Sequence, residues 1–326
     1  MNKPPLTDPE SVVNRGANPT FRDIWIRLLL YPTHSLPTAL APVLVGVGLA
    51  LRNEVFAPVP ALVGFLGSWL IHVAGVFADN HELLRKHPGL GEHPELERAV
   101  RQGTLRLSTL KLAIGGCLVL AVAAAPYLYR IGGAPVLAFG ALGIALSLSY
   151  NAGPWAYVRR GLADPIFLLM FGVVGVVGSY YIQAAAASGS SGFRELFMSM
   201  PLAAYVLGLP VGAIVTTVML IDDIRDCHFD EKKGWKTTAV RLGANFNRAE
   251  IAVLVALAYA APLVFWVALD FDAWILLPLV SAPFAWLNVR GVQRTASRAE
   301  LLPMTPRMAM LALTYAALLA VGVAWS

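Results

Sequence analysis

The sequence predicts an all-α integral membrane protein, a bundle of nine transmembrane helices with a central cavity that opens to the cytoplasmic side. Three observations support this prediction, and the first two concern composition. Of the 326 residues 57% are hydrophobic and only 14% are charged, whereas a soluble globular protein would carry nearly twice that charged fraction. The third is that the apolar residues fall in runs of about 20, the length that crosses a bilayer as a helix.

Nine apolar runs define the predicted spans. They cover about 26–51, 58–78, 106–126, 131–150, 165–184, 200–221, 247–269, 273–289 and 306–325. Residues 1–22 are polar and lack the apolar core and cleavage site of a secretory signal peptide, so they are predicted to be an N-terminal tail. We expect residues 23–326 to form a single polytopic domain. Cys117 and Cys227 suggest no disulfide framework.

Positive charge orients the predicted bundle. All of the 25 Lys and Arg residues except Arg52, Arg130 and Arg194 fall in the tail, in the loops after even-numbered spans, or at the adjoining helix ends. Because cytoplasmic loops are rich in Lys and Arg, we expect these loops and the N-terminus in the cytoplasm. The net charge of +5 then reflects membrane topology, and it does not indicate nucleic-acid binding.

A strongly charged stretch follows the sixth span. Asp222, Asp226 and Asp230 are spaced four apart, so they share one face if the helix continues out of the membrane. Carboxylates stacked at this boundary repel one another unless a cation lies among them. Hard oxygen ligands in this arrangement suit Mg²⁺, which usually takes further ligands from a substrate phosphate.

Basic residues lie within the same stretch and could neutralise phosphate oxygens. They are Arg225, Lys232, Lys233, Lys236 and Arg241. The alternative interpretation of the stretch is a solvated loop whose charges only anchor a membrane helix.

A smaller acidic cluster follows the second span. Asp79 and Glu82 are three residues apart and share a helical face. If the second and sixth spans are neighbours, the two clusters meet in one cavity, which is an arrangement that binds a diphosphate through Mg²⁺. A lipid diphosphate is then the expected substrate, and ordinary helix-end polarity is the alternative. His34, in the proline-kinked first span, is either a hydrogen-bonded core histidine or a substrate contact.

The charged stretch resembles the second acidic motif of the UbiA superfamily of intramembrane aromatic prenyltransferases, which reads Asn-Asn-x-Arg-Asp-x-x-x-Asp-x-x-x-Gly-x-x-Thr-x-Ala-Val-Arg-Leu-Gly. Within that superfamily the chain is most similar to the 1,4-dihydroxy-2-naphthoate polyprenyltransferases (MenA-type). The matching residues are Arg225, Asp226, Asp230, Gly234, Thr237, Ala239, Val240, Arg241, Leu242 and Gly243. Asp222 and Asp223 replace the two leading asparagines.

The first acidic motif departs further from the family pattern Asn-Asp/Glu-x-x-Asp. This window reads Ala78-Asp79-Asn80-His81-Glu82, so the asparagine is replaced by alanine and the last aspartate by glutamate. A shift of register would let Asn80 substitute for the missing asparagine. The longer Glu82 side chain would move the metal.

The resemblance implies a bundle whose cavity binds a polyprenyl diphosphate, an aromatic acceptor and Mg²⁺, in a bacterial inner membrane. The implied metal ligands are Asp79, Glu82, Asp222, Asp226 and Asp230. Among these, Asp79, Glu82, Asp226 and Asp230 are the predicted catalytic residues. The predicted substrate contacts are Arg225, Lys232, Lys236, Tyr150, Arg159, Arg160, His34 and Asn80. Tyr180 and Tyr181 are further candidate cavity aromatics, with plain packing as the alternative.

Three alternatives stay open from the sequence. The acceptor could be another one, such as 4-hydroxybenzoate or homogentisate. The altered first motif could mark a non-catalytic relative that binds prenyl lipids. A transporter is the third alternative, although the acids cluster at one rim of the bilayer rather than at its midplane, where transported ions usually bind.

Overall fold

The computed structural model describes residues 20–30, 35–189, 200–295 and 297–326, and the regular structure within these ranges is entirely helical. Most of the predicted tail and His34 lie outside the described residues. The α-helices are α1 (Phe21–Leu30), α2 (Ser35–Arg52), α3 (Pro58–Lys86), α4 (Pro94–Arg101), α5 (Leu107–Ala123), α6 (Ala125–Gly132), α7 (Ala134–Leu148), α8 (Ala163–Leu168), α9 (Gly175–Ser188), α10 (Leu202–Val206), α11 (Gly208–Lys233), α12 (Thr238–Leu242), α13 (Ala244–Ala268), α14 (Ala282–Arg294), α15 (Arg298–Leu301) and α16 (Met304–Trp325). A π-helical segment over Leu169–Val174 joins α8 to α9, and 3₁₀ helices cover Val158–Arg160 and Ala273–Ser281.

Seven helical stretches of the described chain are long and apolar enough to cross a membrane. They coincide with the predicted second, third and fifth to ninth spans. The first and fourth predicted spans coincide with shorter apolar helices, Leu36–Arg52 and Ala134–Leu148. Residues 31–34 of the first predicted span lie outside the described residues. The all-helical, multi-pass class is therefore confirmed.

The most buried long helix is α11. Its apolar part, from Gly208 to Ile221, is buried on nearly every side. It packs against α8, the π-helical segment, α13 and α16. A helix that is apolar all round belongs in the interior of a bundle. This position brings the polar end of α11 to the centre of the charged end of the bundle, where α3 and α11 end and α13 begins.

Glycines allow α11 to approach the π-helical segment backbone to backbone. A Cβ atom added at Gly212 would lie 2.2 Å from the Leu168 carbonyl oxygen, and one added at Gly172 would lie 2.4 Å from the Gly208 oxygen. Small residues at such contacts let the two backbones pack directly against each other, as in other pairs of membrane helices. This contact fixes the depth of α11 in the bundle.

Two helices continue past their apolar runs. The helix α3 extends to Lys86, eight residues beyond the predicted span end. The positive charges of Arg85 and Lys86 in its last turn interact favourably with the negative end of the helix dipole. The helix α11 extends to Lys233, and Gly234 then ends it in the left-handed conformation at φ 72°. The acidic residues of both motifs therefore lie on helices, as the spacing predicts.

The short helix α4 holds the segment after α3 in place. Its Leu96 and Ala99 are buried in one cluster with Phe77 and Leu84 of α3. Because α4 is anchored on α3, residues 87–93 pass beside the end of α11, where Glu92 contacts Lys233. The acidic ends of α3 and α11 both line the cavity.

Candidate functional site

The site is a cavity of about 850 Å³. Its walls come from α2, α3, α7, α9, α11 and the π-helical segment. Acidic side chains gather at the charged end, and the opposite part is lined by apolar residues such as Ile71, Phe139, Ile144, Val174 and Ile182. One cavity thus joins a charged mouth to an apolar interior, which suits a ligand with a charged head and a hydrocarbon tail.

Four aspartates of α11 line this mouth. Asp222, Asp226 and Asp230 were predicted from their spacing, and the structure brings them together with Asp223. Asp223, Asp226 and Asp230 are buried, whereas Asp222 is partly exposed. Residues 223, 226 and 230 also have the spacing of one helical face. The sequence therefore contained a signal for Asp223, which was missed because only the four-residue spacing was considered.

Asp226 is bound by two arginines. Its Oδ2 accepts hydrogen bonds from Arg225, with Nε at 2.9 Å, and its Oδ1 accepts one from Arg298 Nε at 3.0 Å. Arg225 also pairs with Asp222, whose Oδ1 accepts a 2.7 Å hydrogen bond from Thr305 Oγ1. Residues from three elements, α11, α15 and α16, therefore meet around Asp226. The sequence analysis did not identify Arg298, because only the fold brings it to the acidic row.

Asp230 is bound by a buried lysine. Lys233 Nζ lies 2.9 Å from Asp230 Oδ1 and 2.8 Å from Glu92 Oε2. The same ammonium lies 3.6 Å from the centre of the Trp235 ring, a favourable distance for a cation–π contact. Lys233 was among the five basic residues of the stretch but not among the selected substrate contacts.

Asp223 differs from its neighbours because its Oδ2 is buried without a hydrogen-bond partner among the described residues. An ionised buried oxygen of this kind is costly unless a ligand, a water or a metal compensates it. This oxygen is the clearest single indication that the mouth is built to receive a positively charged group.

Asp79 faces the cavity from α3, as predicted. Its Oδ1 accepts a 2.8 Å hydrogen bond from Asn151 Nδ2, and Arg159 Nη2 donates to Asn151 Oδ1 at 2.8 Å. Arg159, a predicted substrate contact, thus acts on Asp79 through Asn151 and does not line the cavity. Asn151 itself was not selected as a site residue.

Glu82 is placed differently from the prediction. It is not among the residues that line the cavity, and its carboxylate pairs with Arg85 at 3.0 Å and with Lys86 at 2.5 Å. The physical reason is local, because the two basic residues lie one turn later on the same helix. The structure therefore does not bring Glu82 to the other predicted metal ligands.

The remaining predicted substrate contacts divide into two groups. Asn80 and Tyr150 line the cavity, and Asn80 donates to the Val76 carbonyl oxygen at 2.9 Å. The other group is exposed and away from the cavity: Lys232, Lys236 and Arg160.

Tyr180 and Tyr181 do not line the cavity either. The Tyr180 hydroxyl accepts a 2.8 Å hydrogen bond from Asn53, and the Tyr181 hydroxyl donates to Gly132 at 2.7 Å. For these two tyrosines the structure agrees with the packing alternative.

A row of aromatic rings leads from the mouth into the apolar part. Tyr150, Phe167 and Phe171 follow one another with ring centres 5.9 Å and 5.1 Å apart. His72 of α3 packs edge-on against Phe171 at 5.4 Å. Neither phenylalanine was predicted as a site residue, since single rings in an apolar run are most often core residues.

Burial changes the protonation of groups around the mouth. It raises the pKa of the Tyr150 hydroxyl well above its usual value, with repulsion from Asp79 and Asp223 as a further cause. It raises the pKa of the Glu92 carboxyl to about 7 and lowers the pKa of His93 to about 4. His93 is therefore neutral at neutral pH, and the charged groups of the mouth are carboxylates, arginines and a lysine.

Within the described ranges, no three His, Cys, Asp or Glu side chains converge closely enough to hold a metal by themselves. The carboxylate oxygens of Asp222, Asp226 and Asp230 instead pair with Arg225, Arg298 and Lys233, respectively. Mg²⁺ does not need such a cluster, because it is commonly held by one or two carboxylates together with substrate phosphates and water. The oxygen donors and the unpaired Asp223 oxygen fit a site of that kind.

Comparisons with known proteins identify the family of this chain independently of the site geometry. A model of the UbiA prenyltransferase family matches residues 39–301. The 1,4-dihydroxy-2-naphthoate octaprenyltransferase of Escherichia coli (strain K12) is 27% identical over 293 residues, which cover 87% of this chain and 89% of that protein.

Two solved structures share the fold. The apo structure of a UbiA homologue from Aeropyrum pernix K1 has a TM-score of 0.66 at 18% identity, covering 86% of this chain and 96% of that one. A UbiA homologue from Archaeoglobus fulgidus, solved with DMAPP and Mg²⁺ bound, has a TM-score of 0.55 at 18% identity, covering 90% and 99%. With a family match over most of its length and the same fold, the chain belongs to the UbiA prenyltransferase family.

Proposed function

We propose that this enzyme transfers a polyprenyl group from a polyprenyl diphosphate to 1,4-dihydroxy-2-naphthoate in a Mg²⁺-dependent reaction. The observation behind the proposal is the single cavity that joins five aspartates at its mouth to an apolar interior. The naphthoate acceptor is supported by the name of the Escherichia coli relative. The product is then the hydroquinone form of demethylmenaquinone, a precursor in menaquinone synthesis.

Five carboxylates would hold the metal in this proposal. They are Asp79, Asp222, Asp223, Asp226 and Asp230. Bound Mg²⁺ supplies positive charge that stabilises the diphosphate as the bond between its oxygen and the prenyl C1 breaks. Glu82 is left out of this set because Arg85 and Lys86 hold its carboxylate.

The chain's own residues perform the other tasks. Arg225 lines the cavity and is suited to contact the phosphate oxygens. Lys233 and Arg298 do not line it and instead pair with Asp230 and Asp226. The apolar wall excludes water, which would otherwise capture the allylic cation left after the diphosphate departs. The rings of Phe167 and Phe171 offer their π faces to that cation.

The ring carbon of the acceptor that carries the carboxylate then bonds to C1 of the prenyl group. The carboxylate leaves that carbon as CO₂, and the electron pair of the broken C–C bond restores the aromatic ring. The prenyl tail lies along the apolar part of the cavity, toward residues such as Gly140 and Ile182.

We also propose that the charged end of the bundle faces the cytoplasm of a bacterial cell, with nine spans in the inner membrane. The excess of Lys and Arg at that end supports this orientation. Both substrates would then reach the mouth from the cytoplasmic side.

The test uses the full chain in nanodiscs with a polyprenyl diphosphate and Mg²⁺. The acceptors 1,4-dihydroxy-2-naphthoate, 4-hydroxybenzoate and homogentisate are supplied separately. We expect a lipid-soluble product with the naphthoate alone, and none after EDTA. Product from the benzoate or the homogentisate instead would contradict the proposed naphthoate acceptor. Donor binding without product from any of the three would contradict the proposal that the enzyme prenylates these acceptors.

A further inference from the structure

Glu92 lies at the cavity mouth but belongs to neither acidic motif. It sits in the segment between α3 and α4, and only 7% of it is exposed. Its Oε2 accepts a 2.8 Å hydrogen bond from Lys233 Nζ, and its main-chain oxygen accepts a 2.9 Å hydrogen bond from Arg298 Nη2. One residue thus holds two cations that come from α11 and α15.

The same two cations contact the acidic row. Lys233 pairs with Asp230, and Arg298 donates to Asp226. Each also lies over an aromatic ring, Lys233 over Trp235 at 3.6 Å and Arg298 over Phe229 at 5.0 Å. Both cations are therefore fixed between a carboxylate of α11, a ring and Glu92.

The need for Glu92 follows from the burial of Lys233, whose side chain is only 1% exposed. A buried ammonium stays charged only if carboxylates compensate for its lost hydration. If Asp230 were the sole partner, its use as a metal ligand would leave Lys233 uncompensated. Glu92 provides a second carboxylate that lies off α11, so that Lys233 can remain charged while Asp230 turns to another partner.

Arg298 is held in a similar way. The Glu92 carbonyl oxygen binds its Nη2 while Nε binds Asp226. The arginine is therefore retained at the mouth even when the Asp226 oxygen is needed elsewhere.

We propose that Glu92 is a positioning residue, which holds Lys233 and Arg298 against Asp230 and Asp226, so that these two carboxylates are placed to bind the Mg²⁺ and diphosphate of the prenyl donor. This inference rests on the proposed function, since it assumes that a diphosphate binds there. Glu92 acts through the two cations and does not touch the reacting carbon. Its loss should therefore weaken donor binding and leave acceptor binding unchanged.

The test, at a pH well above the Glu92 pKa of about 7, compares wild type with Glu92→Gln, which keeps the main-chain oxygen and the size of the side chain but removes the charge. Calorimetry with a prenyl diphosphate and Mg²⁺, and separately with inorganic diphosphate and Mg²⁺, measures binding without turnover. We expect about tenfold weaker donor binding and a donor KM raised by a similar factor, because hydrogen bonds to charged groups are worth about that much. The acceptor KM should not change.

A double-variant cycle separates positioning from direct contact. Lys233→Gln should weaken donor binding at least as much as Glu92→Gln, and the combined variant should add little, because Glu92 acts through Lys233. Lys232→Gln, one residue earlier and exposed, should have a smaller effect than Lys233→Gln. Arg294→Gln, at an exposed arginine, is the control for Arg298→Gln and should bind the donor like wild type.

The outcomes distinguish the two proposals. Additive losses in the cycle, or a Glu92→Gln variant that binds the donor as tightly as wild type, would overturn the positioning role alone. If Glu92→Gln does not fold, unchanged donor affinity in both Lys233→Gln and Arg298→Gln would overturn it. A folded wild-type protein that binds neither diphosphate in the presence of Mg²⁺ would overturn the proposed function and this inference together.

Discussion

The acidic ends of α3 and α11 look alike in sequence but differ in structure. Each follows an apolar span, and each places carboxylates one turn apart on a helix. On α11 four aspartates line the cavity, whereas on α3 only Asp79 does so. Glu82, one turn after Asp79, is paired with the basic residues of its own helix.

The difference lies in which face of each helix carries the carboxylate. Glu82 pairs with Arg85 and Lys86 three and four residues later and does not line the cavity. Asp222 and Asp230 also pair with basic residues of their own helix, Arg225 and Lys233, and yet line the cavity. Pairing within a helix therefore does not by itself exclude a carboxylate from the site, and the direction in which it faces decides.

The largest expected effect is at Asp226. Asp226→Asn should reduce prenyl transfer at least about 100-fold, equivalent to about 2.7 kcal/mol of transition-state stabilisation, because it removes a metal ligand and leaves Arg225 and Arg298 uncompensated. Turnover assays with the naphthoate acceptor measure this. Glu231→Gln, at an exposed residue of the same helix, is the control, and an equal loss in both variants would contradict a specific role of Asp226.

An intermediate effect is expected at Asp223. Asp223→Asn should lower turnover about tenfold, or about 1.4 kcal/mol, yet raise thermal stability in EDTA, because an amide costs less to bury than a carboxylate with an unpaired oxygen. Mg²⁺ with inorganic diphosphate should raise the Tm of wild type by mass action and raise that of the variant less. A variant that melts several degrees below wild type in EDTA would show that the Asp223 charge stabilises the fold.

The smallest effect is expected at Glu82. Glu82→Gln should change turnover by no more than about threefold, because local pairs of this kind contribute only a few tenths of a kcal/mol. Asp79→Asn, assayed alongside it, should reduce turnover at least about tenfold, or about 1.4 kcal/mol. Equal losses of turnover in the two variants would show that Glu82 also acts at the metal site. That result would contradict the difference between α3 and α11.

The predicted site residues line the cavity where local spacing decides their direction and often do not where tertiary contacts decide it. The row at 222, 226 and 230 was found from helical spacing, and Asp79 from its place at a span end. Lys232 and Lys236 were selected because they are basic and near the motif, yet both are exposed. Neighbours on a helix point in different directions, so nearness in sequence cannot tell which lysine faces the cavity.

By itself, the sequence determined the all-helical, multi-pass class of the protein and the position of its acidic motifs. Those features depend on composition and periodicity, which act over one or two helical turns. Only the tertiary structure decided that Asn151 and Arg298 meet Asp79 and Asp226 and that Glu92 meets Lys233. The physical reason is distance along the chain: Glu92 and Arg298 are 206 residues apart, and no local preference encodes their contact.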